Sequence, residues 1–185
     1  MGDLKNGIVK AQNTFTKLGK IWNSNKITRK TKTRLYKTLV TPVLLYGCET
    51  WKMTKGDNKV IDTFQNKCLR KILKIKWEDH INNEELNERS GVRPVSQEVC
   101  RRRWKFIGHM LRKDPENDCN VALGWAPEGR RKRGRPKVTW RRTVENERKA
   151  LGLSTWAEAR VAAANKTKWR CSVEALCATR HQEDR

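Results

Sequence analysis

The sequence predicts a mostly α-helical protein. Apolar residues return at helical spacing in several separate stretches, and no stretch alternates convincingly with period two as a half-buried strand would. Leu, Ile, Val and Phe supply only about a fifth of the 185 residues, at the border below which strongly charged chains stay disordered. Eight tryptophans weigh the other way and argue that a core forms.

Leu4, Ile8, Ala11, Phe15, Leu18 and Trp22 fall at i, i+4, i+7, i+11, i+14 and i+18, a single helical seam, with Asp3 placed to cap its start. Thr28 is a cap for a second helix carrying Leu35, Leu39 and Val43. Pro42 removes an interior donor there and is expected to kink the helix before Gly47, and the uncharged second half is expected to be buried on all sides. Gly56-Asp57 opens a third helix whose seam is Ile61, Phe64, Cys68, Ile72 and Ile75, leaving Lys59, Arg70 and Lys74 opposite. Cys68 therefore reads as a core residue. Residues 78–93 are polar, with a short acidic helix around Glu84 to Arg89.

Pro94 and Ser96 mark the next start, with Glu98 favourable in the first turn. Val95, Val99, Phe106 and Met110 are assigned to the core, and Arg101, Lys105 and Arg112 to an opposite, basic face. From Asp114 to Lys137 three prolines with Gly124, Gly129 and Gly134 erase the helical period and predict a loop or linker. Trp140, Val144 and Leu151 then indicate a helix stopped by Gly152, Ser154 caps another around Trp156, and Trp169, Val173 and Leu176 mark the last. Trp140 to Glu145 echoes Trp169 to Glu174, and two copies are too few for a solenoid.

The net charge of +22 points to a polyanionic partner, nucleic acid before an anionic membrane, because neutralising phosphates releases counterions and relieves self-repulsion. Residues 1–50 carry +8 and 101–150 carry +10, so the charge is patterned. The longest uncharged run, Thr38 to Cys48, is too short to span a bilayer, and Asp3, Lys5 and Lys10 leave no room for a secretory signal. The six cysteines are read as thiols in a reducing compartment, nuclear or cytoplasmic. Between Gly129 and Arg142 stand eight basic residues and no acidic one: Arg130, Arg131, Lys132, Arg133, Arg135, Lys137, Arg141 and Arg142. Arg133-Gly134-Arg135-Pro136 is similar to the core of an AT-hook, whose extended arginines lie in a narrow minor groove, although phosphate binding indifferent to sequence is the favoured use. These residues, with Arg101, Lys105 and Arg112, are the candidate nucleic-acid contacts.

Catalytic parts are scarce. No Walker loop, G-x-G-x-x-G or G-x-S-x-G occurs, and there is no Asp-Asp pair to gather two cations. Glu84 and Glu85 diverge on a helix, and His80 and His109 read as ordinary polar residues. Cys171, Cys177 and His181, then Cys100, His109 and Cys119, are the best zinc candidates, at unfamiliar spacings, so neither metal nor cofactor is expected.

Leu44-Leu45-Tyr46-Gly47-Cys48-Glu49-Thr50-Trp51 resembles the region that follows the polymerase palm in reverse transcriptases of RTE-type non-LTR retrotransposons. Lys17 to Trp22, Thr33 to Lys37, Arg102 to His109, Gly134 to Lys137 and Leu176 to His181 resemble the same family in the same order. The resemblance implies a thumb-like helical part at the start, placed over 1–55, followed by the post-polymerase region, which spacing and composition divide into a helical segment with a basic face over 56–113, a basic Gly/Pro linker over 114–137 and a C-terminal helical subdomain over 138–185. It also implies a C-terminal fragment of an RNA-directed DNA polymerase without the family's palm aspartates, and so no enzyme. Such a fragment is expected to bind RNA, DNA or their hybrid, with the element's polymerase and endonuclease parts as possible partners. An AT-hook-like chromatin protein and a nonfunctional relic are the alternatives.

Overall fold

The computed structural model describes residues 2–114, 116–124 and 139–183. It is mostly α-helical, with no strand among the described residues. Two compact units make up the chain: residues 1–51 with 55–99, and residues 52–54 with 100–185. No helix among the described residues is long and apolar enough to cross a membrane.

In the first unit, α1 (Gly2–Lys17) and α2 (Gly19–Asn23) divide the expected first helix at Leu18. Asp3 lies inside the first turn of α1, where its charge meets the positive end of the helix dipole, instead of at the cap. The break lets Trp22 fold back: its ring stacks on Phe15 with centroids 5.1 Å apart, and its indole N–H donates to the Phe15 carbonyl at 2.8 Å. Leu18 is left half-buried at the corner.

Thr28 caps α3 (Arg29–Leu35) as expected, its hydroxyl accepting from the Thr31 N–H at 3.2 Å. A π-helical turn, Tyr36–Val40, then joins α3 to α4 (Thr41–Leu44). Pro42 has no N–H for the Thr38 carbonyl and its ring would strike that carbonyl in a regular helix; widening the preceding turn removes the clash, and Pro42 sits in the first turn of α4. Two stripes spaced by four residues compete on this segment. The structure buries Tyr36, Val40 and Leu44, not the expected Leu35, Leu39 and Val43, because the Tyr36 ring meets Phe15 edge-on at 6.3 Å. Nor is the uncharged stretch buried all round: Leu39 is 43% and Tyr46 87% exposed.

The winning stripe also carries Lys32 inward. Its Nζ donates to the Trp22 and Ser24 carbonyls at 2.7 and 2.6 Å, satisfying orphan acceptors at the end of α2. Burial, with Lys74 and Arg29 nearby, holds its pKa below the usual lysine value.

Helix α5 (Lys55–Leu73) buries Ile61, Phe64, Cys68 and Ile72 as predicted, while Ile75 falls beyond its end and is half-buried. Asn82 caps α6 (Asn83–Ser90), accepting from the Glu85 N–H at 2.8 Å, and Gly91 closes it with φ 57°. Asp62 of α5 receives the start of α7 (Val95–Leu111): its carboxylate accepts from the Ser96 N–H at 2.9 Å and the Ser96 hydroxyl at 2.6 Å.

The division between units falls inside α7, after Val99. Val95 and Val99 are buried in the first unit, whereas Cys100, Trp104, Ile107, Met110 and Leu111 belong to the second core. Phe106, assigned to the core by a single uninterrupted stripe, is instead 43% exposed, while its neighbours Trp104 and Ile107 are buried in the second core.

The segment expected as a linker opens with a helix, α8 (Asp118–Gly124), in which Asn120 Nδ2 ties back to the Met110, Lys113 and Asp114 carbonyls. Helix α9 (Trp140–Ala150) is capped by Thr139 and followed by Gly152 at φ 74°. Thr155, one residue after the expected Ser154, caps α10 (Trp156–Ala164) by accepting from the Glu158 N–H at 3.1 Å. The Glu158 carboxylate reaches back to the Ser154 N–H at 2.7 Å. In α11 (Lys166–Glu183), Trp169, Val173 and Leu176 are buried as predicted.

Candidate nucleic-acid interface

Arg101, Lys105, Gly108 and Arg112 stand at i, i+4, i+7 and i+11 on α7 and therefore share one stripe. The three cations of that stripe line a groove of about 360 Å³, completed by Lys166, Trp169, Arg170, Val173 and Glu174 of α11. Five basic side chains thus converge with one carboxylate over a floor of Trp169 and Val173. Such a concentration of positive charge on two helices attracts polyanions of any class.

The positions of these cations are fixed from beneath. Trp169 is 5% exposed and packs into the space that Gly108 leaves: a Cβ on Gly108 would lie 2.2 Å from the indole nitrogen. That nitrogen donates to the Trp104 carbonyl at 3.1 Å, and the two rings are 5.8 Å apart. A buried carboxylate on α9 secures α7 from another side, since Glu147 accepts from Arg103 Nη1 at 2.7 Å and from Trp104 Nε1 at 2.8 Å. Arg103 is wholly buried, so of the consecutive arginines 101–103 it serves the core while Arg101 serves the groove.

Lys105 is exposed, and Arg101 and Arg112 are half-buried along the groove. Arg112 Nη1 donates to the Ala163 carbonyl at 3.1 Å near the end of α10. Of the other predicted contacts, Arg141 and Arg142 are not among the groove-lining residues. Arg141 makes an ion pair with Glu145 at 3.2 Å one turn along α9, and Arg142 is exposed on the same helix. Arg130, Arg131, Lys132, Arg133, Arg135 and Lys137 lie outside the described residues. Sequence reasoning missed Lys166 and Arg170, whose helix reads there as a tryptophan-anchored core element. The available signal was Gly108, a glycine in the middle of a cationic helix stripe, which marks the close approach of another element.

No group of three or more His, Cys, Asp or Glu side chains among the described residues gathers to hold a metal ion. Cys100 is buried, Cys119 half-buried and His109 exposed, and the side chain of His181 lies outside the described residues. No disulfide joins any of the six cysteines. Glu85, one of the acidic neighbours, makes an ion pair with Arg89 on α6.

One family model, described as a domain of unknown function (DUF6451), is similar to residues 14–46. That segment runs from the last turn of α1 through α4 and contains Phe15, Trp22, Lys32 and Tyr36. No curated protein and no solved structure matches the chain.

Proposed function

We propose that this chain is a non-catalytic nucleic-acid-binding protein that holds RNA, DNA or their hybrid through phosphate contacts, the role of the post-palm tail of the retrotransposon reverse transcriptases it resembles. The observation that carries the proposal is the groove in which Arg101, Lys105 and Arg112 meet Lys166 and Arg170. Lysine and arginine side chains of this kind contact phosphate oxygens, which positions a strand without reading its bases. The net charge of +22 adds a long-range attraction of the same sign.

Fluorescence anisotropy with labelled duplex RNA, duplex DNA and RNA·DNA hybrid of equal length tests it. Lys105→Ala and Arg170→Ala are expected to weaken all three ligands, each lowering the salt slope by about one, without moving the thermal unfolding midpoint. Arg135→Ala is expected to weaken A·T-rich and G·C-rich duplexes equally. A loss of preference for A·T-rich DNA confined to Arg135→Ala would favour the AT-hook alternative. Binding with a salt slope near zero would overturn the phosphate reading, and incorporation of deoxynucleotides on a primed RNA would overturn the non-catalytic one.

A further inference from the structure

A larger groove, of about 1120 Å³, lies in the first unit among α3, the end of α5 and α6. Its basic lining residues differ in how far they are already engaged. Lys37 donates to the Gly91 carbonyl, Lys74 to the Asn25 side chain, and Arg89 pairs with Glu85. Arg29, Lys30 and Arg34 line the same groove, and their side chains make no hydrogen bond or ion pair among the described residues. All three belong to α3, so the groove has one wall of uncommitted positive charge.

In sequence between two residues that line this groove, Ile75 and Asp79, stands Trp77, 89% exposed. It occupies the 3-10 turn Trp77–Asp79. The turn is held in a set form: the Asp79 carboxylate accepts from the Lys76 N–H at 2.7 Å, and the His80 N–H donates to the Trp77 carbonyl at 3.3 Å. Lys74 and His80, on either side, both adopt positive φ, 58° and 46°, an uncommon conformation for residues other than glycine. The fold thus presents a nearly whole indole to water on a hydrogen-bonded turn whose neighbours Ile75 and Asp79 line a cationic groove. An indole face stacks on an unpaired base and has no access to a paired one, and this is how single-strand binders combine aromatic platforms with basic channels.

We infer that the first unit binds single-stranded nucleic acid, with the strand's phosphates on Arg29, Lys30 and Arg34 and one unpaired base stacked on Trp77. The inference rests on the nucleic-acid reading above and adds to it a preference for unpaired strand at a second place on the molecule.

The test uses the full chain and labelled oligo(dT), oligo(U) and a blunt duplex of the same charge. Trp77→Ala should weaken oligo(dT) and oligo(U) about 5- to 150-fold, the range that corresponds to loss of one base–aromatic stack, and leave the duplex unchanged. Trp77→Phe should restore most of the loss, and Arg34→Ala should weaken the single strands and lower their salt slope. Unfolding midpoints should match the wild type, since both side chains are exposed. Equal effects of Trp77→Ala on single strand and duplex, or none on either, would overturn the inference, as would competition by poly-glutamate as strong as by oligo(dT). If the wild type still binds duplex and Lys105→Ala still weakens it, the inference alone has failed. If the wild type binds no nucleic acid, both have.

Discussion

Three residues show how much of the second unit and of the first rests on single side chains. Gly108 leaves the gap that Trp169 fills, and Gly108→Ala would place a carbon 2.2 Å from a buried, hydrogen-bonded indole nitrogen. Overpacking of this kind costs about 1–3 kcal/mol, and here it also displaces the groove floor, so denaturant unfolding and duplex affinity should fall together. Glu147→Ala removes the carboxylate that neutralises wholly buried Arg103 and accepts from Trp104, and a loss of about 3–5 kcal/mol is expected in the same unfolding assay. Cys68 supplies a pH dependence. Burial pushes its thiol from the ordinary 9.0 up to about 12, so the unfolded chain deprotonates first as pH rises. Its contribution is complete below pH 9.0 and is lost between pH 9.0 and about 12 at about 1.4 kcal/mol per pH unit. Tyr36, whose pKa burial also raises, adds a loss of the same sign above pH 10.0. Lys32 acts oppositely, because its lowered pKa relieves the cost of a buried charge as pH approaches 10.5. Between pH 9.0 and 10.0 the stability of Cys68→Ala should therefore fall less steeply than that of the wild type, measured by urea unfolding.

At the level of elements, most helices could be read from apolar spacing and caps, and the misassigned faces share one cause. Thr28, Pro94 with Ser96, and Gly152 mark their helix ends by local chemistry, which a sequence displays. Thr28→Ala is expected to cost about 1 kcal/mol of unfolding free energy, since it strips the acceptor from the Thr31 N–H. The faces chosen by α3, the π-helical turn and α7 depend instead on partners distant in sequence. Leu35, Leu39 and Val43 form as good a stripe as Tyr36, Val40 and Leu44, and contacts from elsewhere in the chain, Phe15 on Tyr36 among them, decide between them. Phe106 looked apolar and in phase, yet Trp104 took the interior because Glu147 and Trp169 were waiting for its nitrogen and ring. The candidate groove divides in the same way. Its α7 side was legible from helical period alone, whereas Lys166 and Arg170 enter through the packing of α11, which no local pattern announces.

Across the whole molecule, the surplus of cations is the property that salt should reveal most directly. Occupation of about five phosphates by Arg101, Lys105, Arg112, Lys166 and Arg170 gives a log–log slope near −4.5 on duplex DNA, from about −0.9 per phosphate, and titration from low to moderate salt measures it. The same surplus opposes compaction, and two separate cores of aromatic and aliphatic residues offset it.

The sequence separation inside the second core also sets an order in time. Trp104 hydrogen-bonds to Glu147, 43 residues later, and to Trp169, 65 residues later. At about 5–20 residues per second of synthesis, several seconds pass between the emergence of α7 and that of its partners. During this interval Arg101 and Lys105 have no opposite wall, because Lys166 and Arg170 have not been made. A growing chain therefore carries only half of the groove, and the complete groove comes into being only once translation has passed α11.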